Sequence, residues 1–506
     1  MSNLNNILPP FWEKIKLGQF VENEKGKKPK KQTSEKTANC NLPYIDIEAF
    51  EEGNIKSWTN GEGCRICYES DFLMVWDGSR SGLIGKGIHG ALGSTLVRIN
   101  FPGMNNQYAY YFLLSKYQEI NTRAKGSGTP HVDPDLLWNY EFPIAPINEQ
   151  ARIVIKIEEL FSELDSGITA LKSAREQLKA YRYAVLKHAF EGKLTAKWRE
   201  ENADKLKSPE QLFACIQQER KARYQQQLDE WKAAIKEWED NGKEKKKPSK
   251  PKLLKDFDEL QEDILIKLPR LPNSWIWKKL GFLTTGVEYG TSAKSSETGL
   301  TPVIRMGNLQ NGNIDWSDLV YTSDLDEIEK YSLRKNDLLF NRTNSPELVG
   351  KTAKYKGENP ALFAGYLIRI NQIETIALSD YVNYFLNSHI AKQYGNRVKT
   401  DGVNQSNING EKLQNYPFPF CSIEEQLVII KILENKLSLT DASIRDVEIQ
   451  LTKAEVLRQS ILKKAFSGQL VAQDPNDEPA SELLSRIKAE KEVASTQKNK
   501  QKKMYI

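Results

Sequence analysis

The phrase LKHAFEGKLTA, Leu186 to Ala196, returns as LKKAFSGQLVA, Leu462 to Ala472, 276 positions later. A repeat at so long a period constrains the fold more than any composition does, because each copy has to be a structural unit built on one plan. The correspondence extends far beyond the phrase. LPPFWEKIKLG from Leu8 matches LPNSWIWKKLG from Leu271, and PYIDIEAFEEGNI from Pro43 matches PVIRMGNLQNGNI from Pro302. YFL at Tyr111 matches YFL at Tyr384, and FPIAPINEQ from Phe142 matches FPFCSIEEQ from Phe418. From there to Ala196 and Ala472 the copies align without a gap. LFACIQQERKA from Leu212 has an echo in LLSRIKAEKEV from Leu483. Order is kept throughout, so one whole module has been duplicated.

Each module has two parts. The first, roughly 130 residues, carries short β-rich runs such as FLMVW (from Phe72), STLVRI (from Ser94) and DLLFN (from Asp337). Gly- and Asn-rich turns separate them, with a helix expected near NNQYAYYFLLSKYQ. That pattern is a compact α+β domain. The second part is a long helix. Ile153, Ile157, Leu160, Leu164, Ile168, Leu171, Leu178, Tyr181, Val185 and Ala189 recur at helical spacing between charges, and Ile429 to Ala465 repeat the stripe. Neither run contains proline, and Gly192 and Gly468 stand where a helix C-terminus wants glycine. About 40 residues make a rod of roughly 60 Å. A single stripe on such a rod needs a partner helix, and the other copy supplies it. The fold class is therefore α+β: two tandem α/β domains separated by two long helices that pair as an antiparallel coiled coil, with internal pseudo-twofold symmetry. The charged stretch from Glu200 to Leu268 reads as a solvated helix followed by a flexible linker at NGKEKKKPSKPK.

Composition enters as a limit. A chain of 506 residues exceeds a single core, and 39% hydrophobic residues suffice for several. A formal charge of +5 confines any basic surface to local patches. Apolar runs fall far short of the ~20 residues that span a bilayer. MSNLNNILPPFWEK lacks a signal peptide's basic start and apolar stretch, and five scattered cysteines make no disulfide framework. A cytoplasmic protein of bacterial type is expected.

Catalytic motifs are missing from the sequence. Leu8-Pro9-Pro10-Phe11 has leucine where an adenine-methylation motif needs Asn or Asp. SPELVGKT, Ser345 to Thr352, lacks the first glycine of a phosphate-binding loop and puts Pro and Glu where backbone N–H groups should cradle phosphates. Cys64-Arg-Ile-Cys67 is a lone pair; Cys40 and His89 would have to complete a zinc set, and the second module has no counterpart. No catalytic residue and no metal site is expected. Polar loops remain: GSRSG (Gly78 to Gly82) and KGSGTPH (Lys125 to His131) in module one, NRTNS (Asn341 to Ser345) and KTDGVNQ (Lys399 to Gln405) in module two. Arg, Lys, Asn, Gln, Ser and Thr hold phosphates and read base edges, and glycine lets the backbone approach. The scaffold repeats while these loops differ, as a module binding two different targets would require.

FPIAPINEQARIVIKIEELFSELD with LKHAFEGKLTAKW resembles the first conserved region of the specificity subunits of type I restriction–modification systems, and FPFCSIEEQLVIIKILENKLSLTD with LKKAFSGQLVAQ resembles the second. Trp12, Leu17, Gly18 and their counterparts Trp275, Leu280, Gly281, with GSGTPH, resemble that family's target-recognition domains. Ala145, and Cys421-Ser422, stand where the family has proline. The resemblance implies target-recognition domains at 1–146 and 269–422, conserved helical regions at 147–199 and 423–473, a charged helical insert and linker at 200–268 and a charged helical tail at 474–506. It implies a non-catalytic chain whose two domains read the halves of a bipartite site in double-stranded DNA. The implied partners are two methyltransferase subunits, which methylate adenine N6 with S-adenosylmethionine, and restriction–translocase subunits that use ATP and Mg; this chain itself would bind no cofactor. Two heads on paired helices would meet one DNA face about one turn, ~34 Å, apart. The residues expected to contact DNA are Arg80, Lys125, Ser127, Thr129 and His131 in module one, and Arg305, Asn308, Arg342, Asn344, Lys399, Asn404 and Gln405 in module two. Two other readings fit the residues: a coiled-coil scaffold that binds proteins, and a subunit of a fused-type restriction enzyme.

Overall fold

The computed structural model describes residues 8–126, 128–243, 247–251 and 253–504, side chains of 494–504 excepted. The chain divides into two compact units, one formed by residues 1–173 with 447–506 and the other by 174–446. The helix Ile147–Phe190 and the helix Ile423–Ala465 each begin in one unit and end in the other.

In the first unit, Glu13–Lys16 pairs antiparallel with Glu141–Ile144 and so ties the start of the domain to the start of the long helix. The central sheet runs Glu22–Lys25, Leu96–Asn100, Phe72–Val75, Ile84–Lys86. Phe72–Val75 is buried on both faces. Phe72 and Met74 join the core that includes the helix Asn106–Thr122, while Leu73 and Val75 enter a second cluster with Ile45 and Leu92. The period-2 geometry of a strand thus serves two cores. The second unit repeats the device in Leu338–Asn341: Leu338 and Phe340 join its main core, and Leu339 joins a cluster with Phe363 and Leu367. Ile276–Lys279 pairs with Pro417–Phe420 as the counterpart of the tie strand.

The repeated motif residues close each unit in the same way. In the first, the Trp12 indole donates to buried Glu149 (2.9 Å), and the Gln150 amide donates to the Ala145 carbonyl and accepts from Asn105 N. In the second, Trp275 donates to buried Glu425 (2.8 Å), and Gln426 donates to the Cys421 carbonyl and accepts from Leu378 N. Glu425 also takes Arg199 (2.6 Å) and Thr195, whereas Glu149 takes Gln473 besides the indole; burial holds the Glu149 carboxyl above its ordinary value. The glycine of AF-x-G-x-L is required twice over. Gly192 and Gly468 both have φ of 71°, and a Cβ there would run into the ring of Pro272 and of Pro9 respectively.

Each half of the long helices finds its partner inside its unit. In the first unit Arg458 pairs with Asp165 and lies over the Phe161 ring, and Leu160, Leu164 and Ile168 face Ala454, Leu457 and Ile461 around one groove. In the second, Arg182 pairs with Asp441 at 2.5 Å. The early half of one helix meets the late half of the other in each case, so the pairing is antiparallel.

The charged segments depart from the expectation of a solvated insert. The insert helix Pro209–Asp240 buries Leu212, Ile216 and Arg220, and its Arg220 guanidinium sits over Phe282 at 5.3 Å. Phe257 lies against Gly281, so the segment after the lysine run is also part of this unit. The tail helix Ala480–Met504 does the same for the first unit, burying Leu483, Leu484 and Ile487, with Lys491 over Phe20 at 5.4 Å. On the insert helix, charge density hid a short buried stripe.

Candidate nucleic-acid interface

In the first unit two loops distant in sequence are laid side by side. His131 N donates to the Lys125 carbonyl and Lys125 N to the His131 carbonyl, closing KGSGTPH into a tight loop. Gly78 N donates to the Pro130 carbonyl (2.7 Å) and Asn121 Nδ2 to the carbonyls of Ser79 and Ser81, so GSRSG is fastened to it. Gly126, at φ 103°, leaves no room for a Cβ against the Thr129 carbonyl and the His131 ring. Lys125 reaches Asp133 at 2.9 Å, which raises its own pKa and lowers that of Asp133. Arg80 is paired with Glu51 yet remains largely exposed. Thr129 is exposed, His131 half-buried, and Ser127 lies outside the described residues.

The second unit brings together the corresponding loops by strand pairing. Thr343–Asn344 pairs with Ser406–Asn407, which pairs with Thr400–Asp401, so NRTNS and the KTDGVNQ hairpin form one small sheet. Asn404 and Gln405 are exposed at the hairpin's tip beside Val403, which is fully exposed. Arg342 stacks over Tyr289 (5.0 Å), whose hydroxyl accepts from Gly410 N. The Arg342 Nε is buried with no partner among the described residues. Asn344 accepts from Ser345 N, and Lys399 reaches the Pro346 carbonyl at 3.2 Å.

Two choices made from sequence are engaged in a turn of their own. Asn308 is 3% exposed; it donates to the carbonyls of Asp315 and Ser317 and accepts from Arg305 N, which makes it the lock of a turn. Arg305 donates from Nη2 to the Asp318 carbonyl and carboxylate of the same turn, while its Nε is buried with no partner among the described residues. In SPELVGKT the N–H groups of Leu348 and Val349 are satisfied by the Ser345 carbonyl and that of Gly350 by Asn341, so the segment closes on itself. Cys67 is buried with its Sγ toward the Ile88 and Gly90 carbonyls. Tyr289, Lys351 and Lys392 were missed, since no spacing in the sequence brings them to Arg342 or to each other.

The model of the type I restriction modification DNA specificity domain matches residues 9–173 and again 287–453. The chain belongs to that family. Its relatives include the type I restriction enzyme EcoKI specificity subunit of Escherichia coli K12, 26% identical over 471 residues, covering 87% of this chain and 85% of that one. The EcoDI specificity subunit of E. coli is 23% identical, covering 98% and 99%. The MjaVIII specificity subunit of Methanocaldococcus jannaschii is 31% identical over 188 residues, covering 36% and 43%. A solved chain, described as the structural basis underlying complex assembly and conformational transition of the type I R-M system, shares the fold. Its TM-score is 0.61 at 16% identity, over 92% of this chain and all of that one. Both loop clusters of this specificity-domain chain lie within the matched stretches. No helix among the described residues is long and apolar enough to cross a membrane.

Proposed function

We propose that this specificity-family chain is the non-catalytic DNA-reading subunit of a type I restriction–modification complex, each loop cluster reading one half of a bipartite site. The observation that carries this is the pairing of loops: in both units two segments rich in Gly, Arg, Lys, Asn and Thr are fastened together on a repeated scaffold, with different residues in the two copies. Side chains of these types recognise base edges and phosphates, and loops that differ between the copies suit two different half-sites. Methyltransferase subunits using S-adenosylmethionine would act on adenine N6 beside the bound loops, and restriction subunits would supply ATP- and Mg-dependent chemistry. This chain would bind none of these cofactors and would work in the cytoplasm. The test is to co-express it with its cognate methyltransferase subunit and map N6-methyladenine across the host genome. A two-part motif with an unspecified spacer of fixed length is expected. No methylation from an assembled, cofactor-supplied complex would favour a protein-binding scaffold.

A further inference from the structure

Two lysines of the second unit stand on segments that the fold pins together. Reciprocal hydrogen bonds, Thr352 N to Asn387 Oδ1 (3.3 Å) and Asn387 Nδ2 to the Thr352 carbonyl (2.8 Å), pin the strand Thr352–Lys354 against the corner before the helix His389–Val398. Lys351 precedes that strand and Lys392 lies in the first turn of that helix. Lys351 Nζ donates to Gln310 Oε1 (3.1 Å), and Lys392 sits over the Tyr183 ring at 5.6 Å. Neither is in an ion pair among the described residues, and Arg182, whose charge acts on Lys392, already holds Asp441. Desolvation, and then the charge of Lys392, hold the Lys351 ammonium below its ordinary pKa; desolvation, and then Arg182, do the same to Lys392. Positive charges gathered in this way repel one another until an anion joins them.

We propose that Lys351 and Lys392 form a clamp for a DNA backbone phosphate beside the recognition loops of the second unit. The inference rests on the DNA-reading function proposed above and adds a site to it. Two connections make the ligand a phosphodiester. Lys351 is bonded into the Arg342 loop, since its carbonyl accepts from Asn341 N (2.8 Å). The helix that begins near Lys392 ends at the Lys399 hairpin, seven residues or roughly 10 Å further on. At about 3.4 Å per nucleotide along a strand, that is the span of some three steps, so one duplex can reach both the hairpin and the clamp. The clamp belongs to the second unit alone. In the repeat that aligns Tyr111 with Tyr384, the position of Lys392 is Glu119.

The test uses the double variant Lys351→Gln, Lys392→Gln in the full chain, in complex with its methyltransferase subunits. DNA affinity is measured across salt concentrations on a duplex carrying the methylated motif and on an unrelated duplex. The expected result is an equal weakening on both, a slope of log K against log salt smaller by about 1, for the one phosphate the pair neutralises, and an unchanged methylation motif. The melting temperature should not fall, because the variant removes a repulsion; a fall would mark the lysines as structural and overturn the proposal. An unchanged slope would overturn it too. If the slope holds while stabilisation of the wild-type chain by inorganic phosphate disappears in the variant, the site takes a small anion and the proposal fails. If the slope holds while co-purification with the methyltransferase fails, the lysines bind an acidic protein face, again against it. A wild-type complex that binds no DNA would instead sink the underlying function.

Discussion

Arg342 and Asn308 were indistinguishable as candidates in the sequence, both polar and both beside glycine or asparagine turns. Their surroundings separate them: the Arg342 guanidinium lies on the Tyr289 ring with its Nε unpaired, while every amide atom of Asn308 is taken by its own turn. Arg342→Ala is therefore expected to relax one position of the methylated motif at about 1–3 kcal/mol, read as a change in methylation across single-base variants. Asn308→Ala should leave the motif alone and lower stability by about 1–3 kcal/mol, read by chemical denaturation, because it strands buried polar groups. Asp477 offers a pH test. The Arg152 guanidinium bonds its carboxylate at 2.5 and 3.3 Å and holds its pKa below the usual value of 3.8. A depressed carboxylate stabilises the fold above its unfolded pKa, and the benefit disappears as pH falls through the folded one. The gap in melting temperature between the wild type and Asp477→Asn should then be full near neutrality and close below about pH 4. A gap that stayed constant with pH would rule out the ion pair as its source.

Elements were legible in proportion to the length of their pattern. The stripes behind Ile147–Phe190 and Ile423–Ala465 run for many turns, and the helices formed where the stripes lie, with Gly192 and Gly468 just past their ends. The strands at Phe72 and Leu338 were legible because a short unbroken apolar run, FLMV or LLF, suits a strand buried on both faces. The insert helix was misjudged because a few residues, Leu212, Ile216 and Arg220 among them, are buried while most of its other turns are charged. The echo between LFACIQQERKA and LLSRIKAEKEV already signalled a shared packing role. Ile216→Ala and Ile487→Ala should each destabilise by about 2–4 kcal/mol, seen in denaturation as a loss at one unit's transition, since each fills a separate core. A loss below half a kcal/mol at Ile216 would return the insert helix to the solvated reading, and at Ile487 would contradict the tail helix's packing role.

At the scale of the whole molecule, duplication accounts for both what repeats and what does not. Staples, helix ends and tie strands are the same in the two units, because each copy must fold by the same contacts. The loops diverge in residues and in closure: a tight backbone bridge in the first unit, a small strand-paired sheet in the second. Which loops would adjoin was legible only as a matched pair of polar segments; the hydrogen bonds that join Gly78 to Pro130, or Thr343 to Asn407, link residues too distant for any local pattern to reveal. The central claim is that each unit reads its own half of a DNA site. The most direct measurement grafts the loops 341–345 and 399–407 of another family member into this chain and maps N6-methyladenine made by the complex. One half of the motif should change while the other half and the spacer length stay as they were. A motif that changes in both halves, or in neither while the complex still methylates, would contradict the claim.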